Sequence, residues 1–433
     1  MTRSVDARRH SEDVTPGNAP FRPSVADRAQ RRAFEALLAL PRAVRHRAAG
    51  QPHIVDGGAL DPDITVGLKV LGRIGGKELD ERSVADARHA LAAESWLFAG
   101  ELADVANVED VVLDGSSYGA GDIPARLYRP HPSPVTVVGK HARVVDPDAD
   151  EVGTTEAGAA EAGAAVDART DAPNVANREP RADRLPLLVY FHGGGWVLGS
   201  HHTHDAVARA LCAGGEVAVL NVDYRLAPEH VFPAAVDDAV AAFRWAHAHA
   251  DALGIDPNRI AVGGDSAGGN LAAVVAQECA RVGGPQPAWQ MLFVPVTDLT
   301  LPRSRSYELF SEGYFLTRAN MDWYEANYLG GGTLPDDVDA MRRDPRVSPL
   351  LADDLQQLAE RGLAPAYVAV AGFDPLRDEG IAYARKLSDA GVATTLRVHT
   401  DAVHPFINIL ATDLGRRCMA EAVGALRMAL HVR

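Results

Sequence analysis

Six short apolar runs, LPLLVYF, VAVLNV, RIAVGG, QMLFVPV, AYVAVAG and TTLRVH, follow one another between Leu185 and His399. They constrain the fold more than any other feature of the chain. Longer segments with helical spacing separate them, among them AAVDDAVAAFRWAHAHADAL and DEGIAYARKLSDAG. A strand with one wet face alternates apolar and polar residues, whereas a strand apolar throughout has to be covered on both faces. Strand, loop and helix in repetition therefore predict an α/β fold with a mostly parallel central sheet flanked by helices. Ligands of such sheets bind beyond the carboxyl ends of the strands. Chemistry is expected in the residues that directly follow each run.

Two serines share the pattern Gly-x-Ser-x-Gly, Ser117 in GSSYG and Ser266 in GGDSAGGN. Ser266 follows RIAVGG and precedes the helical NLAAVVAQECA. A serine at such a strand-to-helix turn is raised above the sheet, and its flanking glycines avoid collisions with the neighbouring strand and helix. The helix N-terminus also favours negative charge developing there. Ser117 leads from VEDVVLDG into IPARLYRP, two strand-like runs, and reads as part of a hairpin turn. A phosphate-binding loop is the bland alternative for Ser266. It lacks the Gly-x-Gly-x-x-Gly order and the lysine that such loops carry.

The loop FHGGGWVLG (191–199) ends the run LPLLVYF. Three consecutive glycines there let backbone N–H groups converge on one point, as acyl transfer needs for its oxyanion. Removing one such donor typically costs on the order of 10²–10³ in rate. A serine nucleophile also needs a base, and the base an orienting acid. After AYVAVAG come Asp374 and Asp378; Asp374 adjoins the strand end, while Asp378 reads as the N-cap of the next helix. After TTLRVH comes His404, favoured over His399 by its place in a loop and by the chain order Ser, Asp, His.

Around this region the chain organises simply. Residues 1–23 read as a disordered polar tail and about 135–184 as a disordered acidic insertion without aromatics. Residues 24–105 carry helical patterns, one opening on Ser24 and another ending at Gly100. A net charge of −15 excludes nucleic acid as a partner, since that needs a concentrated basic face. No run is long and apolar enough for a membrane span. Three scattered cysteines suit reduced thiols in a cytoplasmic protein, and the polar N-terminus does not read as a secretory signal. The cluster HHTH (201–204) lacks the carboxylate and histidine spacing of a zinc site, so neither metal nor cofactor is expected.

Taken together, FHGGGWVLG, DYRLAPEH, GGDSAGGN, VSPLLA and DPLRDEG resemble the hormone-sensitive lipase family of α/β-hydrolases, from roughly Val108 to the C-terminus. The resemblance implies a catalytic domain over 106–433 with Ser266 as nucleophile, Asp374 as acid and His404 as base. It implies oxyanion donors at the backbone N–H groups of Gly194, Gly195 and Ala267. It also implies a helical cap built from about 24–105 and 297–345. Within that cap and its surroundings, Trp196, Tyr314 and Phe315 are candidates to line the substrate pocket, with Trp323 and Tyr324 near them; helix packing competes for the same rings. The activity implied is carboxylester hydrolysis of small to medium acyl esters through an acyl-serine. Amide or N-acetyl hydrolysis by the same triad, or a weakly active binding protein, stays open, as does assembly into a homodimer. One departure stands out. The family carries His-Gly-Phe where this chain has His404-Pro405-Phe406, and proline restricts the residue before it to extended backbone. His404 is therefore expected to be held differently, with reduced activity.

Overall fold

Leu187, Val189 and Phe191 belong to one apolar cluster, and the alternate residues Leu188 and Tyr190 to another. The strand that carries them is thus buried on both faces, and fully burying one such side chain is worth about 1.5–3 kcal/mol. The computed structural model describes residues 21–74, 78–132 and 184–432. Its main sheet has strands β1 (Asn107–Asp114), β2 (Asp122–Arg129), β3 (Leu185–Phe191), β4 (Ala218–Val222), β5 (Ile255–Asp265), β6 (Gln290–Phe293), β7 (Ala366–Phe373) and β8 (Thr394–Val403). They lie in the order β8-β7-β6-β5-β3-β4-β2-β1. All pairings from β8 across to β4 are parallel, and β2 runs antiparallel to both of its neighbours. The chain steps from β3 to β4 on one side and returns to β5 on the other. That reversal opens a crevice at the carboxyl ends of β3 and β5.

The helices are α1 (Val25–Leu38), α2 (Arg42–Ala49), α3 (Pro62–Ile74), α4 (Val84–Phe98), α5 (Asp205–Gly215), α6 (Ala234–Ala248), α7 (Ala267–Val282), α8 (Arg318–Gly330), α9 (Arg377–Asp389) and α10 (Asp413–His431), with shorter turns between them. Residues of α6, α7 and α9 fill the cluster on one face, and residues of α5 and α10 fill the other. Ser24 and Ser83 accept hydrogen bonds from Asp27 N and Asp86 N, so each caps the helix that follows it.

Segment 24–105 holds α1–α4 and a two-stranded ribbon, Ile54–Val55 with Gly58–Ala59. It is tied to β8 by Asp61 N donating to Asp401 O (3.0 Å) and to the start of α10 by the buried Arg45, which pairs with Asp63 and reaches Asp413 at 3.4 Å. Of the tail expected over 1–23, residues 1–20 lie outside the described residues. Phe21 packs its ring against His89 and Trp96, 5.4 and 6.2 Å away between centroids. The acidic insertion lies outside the described residues up to Arg184, which opens β3.

Candidate active site

Ser266 ends β5 and begins α7 with φ 58° and ψ −118°, a backbone region that non-glycine residues seldom occupy. Steric contacts explain the glycines around it. A Cβ on Gly264 would lie 2.4 Å from Phe191 O, and one on Gly268 only 1.9 Å from the same atom. Without side chains at both positions, the first turn of α7 can cross the end of β3. Ser266 N donates to Phe293 O (2.8 Å), which pins the turn to β6. Ser117 sits in a short turn joining β1 to β2. It is three to four strand spacings from β5, or about 14–19 Å.

Asp374 follows β7 directly and is completely buried. Its Oδ1 accepts Leu376 N–H (2.9 Å), and its Oδ2 meets His404 Nδ1 at 2.9 Å. His404 follows β8, which runs four residues further than the TTLRVH pattern and bulges between His399 and Val403. The proline after His404 does not prevent its contact with Asp374. His399 faces away from chemistry, with its Nδ1 against Cys418 Sγ (3.4 Å) and its ring on Phe406. Asp378 departs from its expected place as an N-cap. It lies inside the first turn of α9, where its Oδ2 accepts Ser306 N–H (2.9 Å) and its Oδ1 takes Arg377 Nε.

The glycine loop after β3 takes left-handed backbone at Gly194 (φ 116°) and Gly195 (φ 60°). Gly193 N–H is directed at Asp265 Oδ1 (3.1 Å) and His204 Nε2 (3.3 Å). The N–H groups of Gly194 and Gly195 follow in the loop, and that of Ala267 opens α7.

Asp265 is the residue that pattern reading overlooks. Its carboxylate is buried and takes Tyr190 OH (2.6 Å), Gly193 N, His204 Nε2 (3.2 Å) and Asn408 Nδ2 (3.1 Å). Burial alone raises its pKa, but His204, Tyr190 and Asn408 outweigh that and hold the carboxyl well below its usual range. One ionised group thus ties together the glycine loop, the serine turn and the loop that carries His404. The sequence signal was its position beside Ser266, combined with His204 in a histidine cluster weighed only for metal. The cluster's imidazoles each take a different partner, His201 Asp223, His202 Arg126 and His204 Asp265, although the His201 and His202 ring centroids lie 4.1 Å apart. Among the described residues, no group of three or more His, Cys, Asp or Glu side chains could hold a metal ion.

The pocket candidates separate. Trp196 is fully buried and stacked on Tyr328 (centroids 4.2 Å apart), so it supports the glycine loop and presents no face to a ligand. Tyr314 is half-buried against Phe310 and Phe373, the residue before Asp374. Phe315 meets Phe98 edge-on at 5.6 Å. Tyr324 lies directly over Gly195, where a Cβ would come within 2.1 Å of its ring. A cleft of about 460 Å³ between α1, α4 and the start of α5 is lined by none of Ser266, Asp374 or His404. Its Arg31 and Arg126 are bound to Trp96 O and Gly100 O and to Asp110.

A sequence profile described as the alpha/beta hydrolase fold matches residues 188–408, half of the chain, from β3 through the loop of His404. The chain belongs to the α/β-hydrolase family. Among relatives within it, the carboxylic ester hydrolase LipN of Mycobacterium tuberculosis is 41% identical over 394 residues, covering 89% of this chain and 87% of LipN. An ethyl acetate hydrolase of Pseudomonas putida is 35% identical over 356 residues, covering 81% of this chain and 93% of that enzyme. Among solved α/β-hydrolase structures, a thermostable esterase from Pseudomonas putida superposes with a TM-score of 0.68 at 31% identity, covering 88% of this chain and 100% of the other. The relatives fit the hormone-sensitive lipase-like branch that the motifs suggested. No helix among the described residues is long and apolar enough to cross a membrane.

Proposed function

We propose that this serine ester hydrolase works through Ser266, His404 and Asp374 on small to medium acyl esters. The His404–Asp374 hydrogen bond, formed at the same sheet edge as the Ser266 turn, carries the assignment. Asp374 takes the Nδ1 side of the imidazole, which leaves Nε2 to accept the serine proton. Ser266 Oγ then attacks the ester carbonyl. Negative charge builds on the carbonyl oxygen, facing the N–H groups of Gly194, Gly195 and Ala267 and the N-terminus of α7. His404 returns its proton to the departing alcohol. Water, deprotonated in turn by His404, releases the acid from the acyl-serine.

Segments 24–105 and 297–345 act as the cap over this edge. The three cysteines are buried and unpaired, which fits a reducing, cytoplasmic setting that cell fractionation tests; light scattering tests the homodimer.

Ser266→Ala is expected to lower kcat on p-nitrophenyl butyrate by about 10⁴-fold or more and to abolish fluorophosphonate labelling. Ser117→Ala should leave both intact. Labelling that survives Ser266→Ala would refute the assignment.

A further inference from the structure

The two-stranded ribbon of segment 24–105 touches the chain on both sides of Asp374 and shortly before His404. Its strands Ile54–Val55 and Gly58–Ala59 are joined by Asp56 and Gly57, both with left-handed backbone (φ 54° and 81°). Asp-Gly suits such a tight turn, and the turn sets the Asp56 carboxylate at the tip. Asp56 Oδ2 accepts from Arg377 Nη2 at 2.9 Å. The same guanidinium donates from Nη1 to Gly372 O (3.3 Å) and from Nε to Asp378 Oδ1 (2.8 Å). The backbone N–H of Arg377 donates to Asp374 O (3.1 Å). Arg377 thus spans the acid loop from before Asp374 to after it, and the ribbon holds its outer arm.

The ribbon also bears on the approach to His404. A Cβ on Gly58 would lie 2.5 Å from Thr400 O, and one on Gly372 would lie 2.5 Å from the same oxygen. The ribbon and the end of β7 therefore both close on one carbonyl of β8, within the bulge between His399 and Val403. His53, which leads into the ribbon, sets its ring 5.9 Å from that of Phe373, the residue before Asp374. All of these contacts fall on the loops of acid and base.

We infer that the ribbon positions the triad, with Asp56 acting through Arg377 to hold Asp374 in place for His404. The inference rests on the triad assignment above. Asp56 touches no reacting atom and is a positioning residue. A single ion pair near the surface adds little to global stability, whereas rate is steep in the placement of catalytic groups. Loss of the pair therefore shows in turnover more than in melting.

The test uses the full chain with p-nitrophenyl butyrate. Asp56→Gly removes the carboxylate and leaves a residue at ease in the left-handed turn. It is expected to lower kcat roughly threefold to tenfold, with KM within about twofold of wild type and little change in melting temperature. Asp56→Asn should lose less, since its amide oxygen can still accept from Arg377. Arg377→Met should lower kcat at least as much as Asp56→Gly, and combining the two should bring no further loss, because the carboxylate acts through the guanidinium. An unchanged kcat in Asp56→Gly, a loss confined to KM, a melting temperature that falls in step with kcat, or losses that multiply in the double variant would each overturn the inference. The first three are read from Asp56→Gly alone, so a poorly folded Arg377→Met does not shelter the idea. Fluorophosphonate labelling that survives Ser266→Ala would instead count against the triad assignment itself.

Discussion

Two buried histidine–aspartate pairs flank the same serine turn and differ in how many partners they share. Asp374 meets one nitrogen of His404 and satisfies its other oxygen with Leu376 N–H. That imidazole is oriented from its Nδ1 side. In the other pair, His204 Nδ1 meets Thr203 Oγ1 (2.8 Å), while its Nε2 is crowded by Asp265, Gly193 N and Asn408 Nδ2. Asp265 is shared among four donors. A fully engaged pair of this kind holds loops in register. On the proposed mechanism, the number of other partners separates the catalytic pair from the positioning pair, since the residue types are identical.

This contrast can be broken most sharply at the histidines. His404→Asn is expected to lower kcat by about 10³–10⁵-fold with little change in KM or melting temperature. His204→Asn should cost less than about 10²-fold in kcat but lower the melting temperature. Steady-state kinetics beside thermal melts checks both, and equal kinetic losses would erase the distinction. Next in size, Asp265→Asn keeps the shape and removes the charge that Tyr190, Gly193, His204 and Asn408 share. It should lower kcat/KM by roughly 10–10²-fold, mostly through kcat, because the glycine loop loses its anchor. A change confined to KM would contradict a positioning role.

The smallest effect belongs to Glu379, five residues after Asp374. Its Oε1 accepts Thr297 N–H (2.7 Å) and Asp298 N–H (3.2 Å), which joins α9 to the segment that follows β6. Burial pushes this carboxyl up to about 8, against the pull of those N–H groups and Arg303. Between the unfolded carboxyl pKa of about 4.3 and about 8, the folded state binds the extra proton. Stability from this group is therefore fully present at low pH and is lost as pH rises through that window. Glu379→Gln keeps an acceptor for Thr297 N–H and cannot ionise. Relative to wild type, its melting temperature should rise by a few degrees on going from pH 5 to pH 9. A constant difference between the two proteins across that range would show that Glu379 does not titrate there.

Much of this was readable before any coordinates. The apolar runs after Leu185 specify strands covered on both faces, because nothing in them tolerates water. Ser266 could be told from Ser117 because a helix follows one and a strand follows the other, and that difference is local. Asp378 is not an N-cap, because α9 starts two residues earlier than that role requires and its carboxylate reaches Ser306. Trp196, a pocket candidate beside three glycines, is fully buried because its stacking partner Tyr328 arrives from α8.

The sequence by itself determined the sheet and the three loops after its strands that carry Ser266, Asp374 and His404. Each of these follows from periodicity and from the backbone demands of short turns. Only the tertiary structure decided which polar groups share partners. It put Asp265 at the junction of three loops and engaged Gly193 N–H with Asp265 and His204. Hydrogen-bond satisfaction and burial depend on residues far apart in the chain, and no local pattern carries that information.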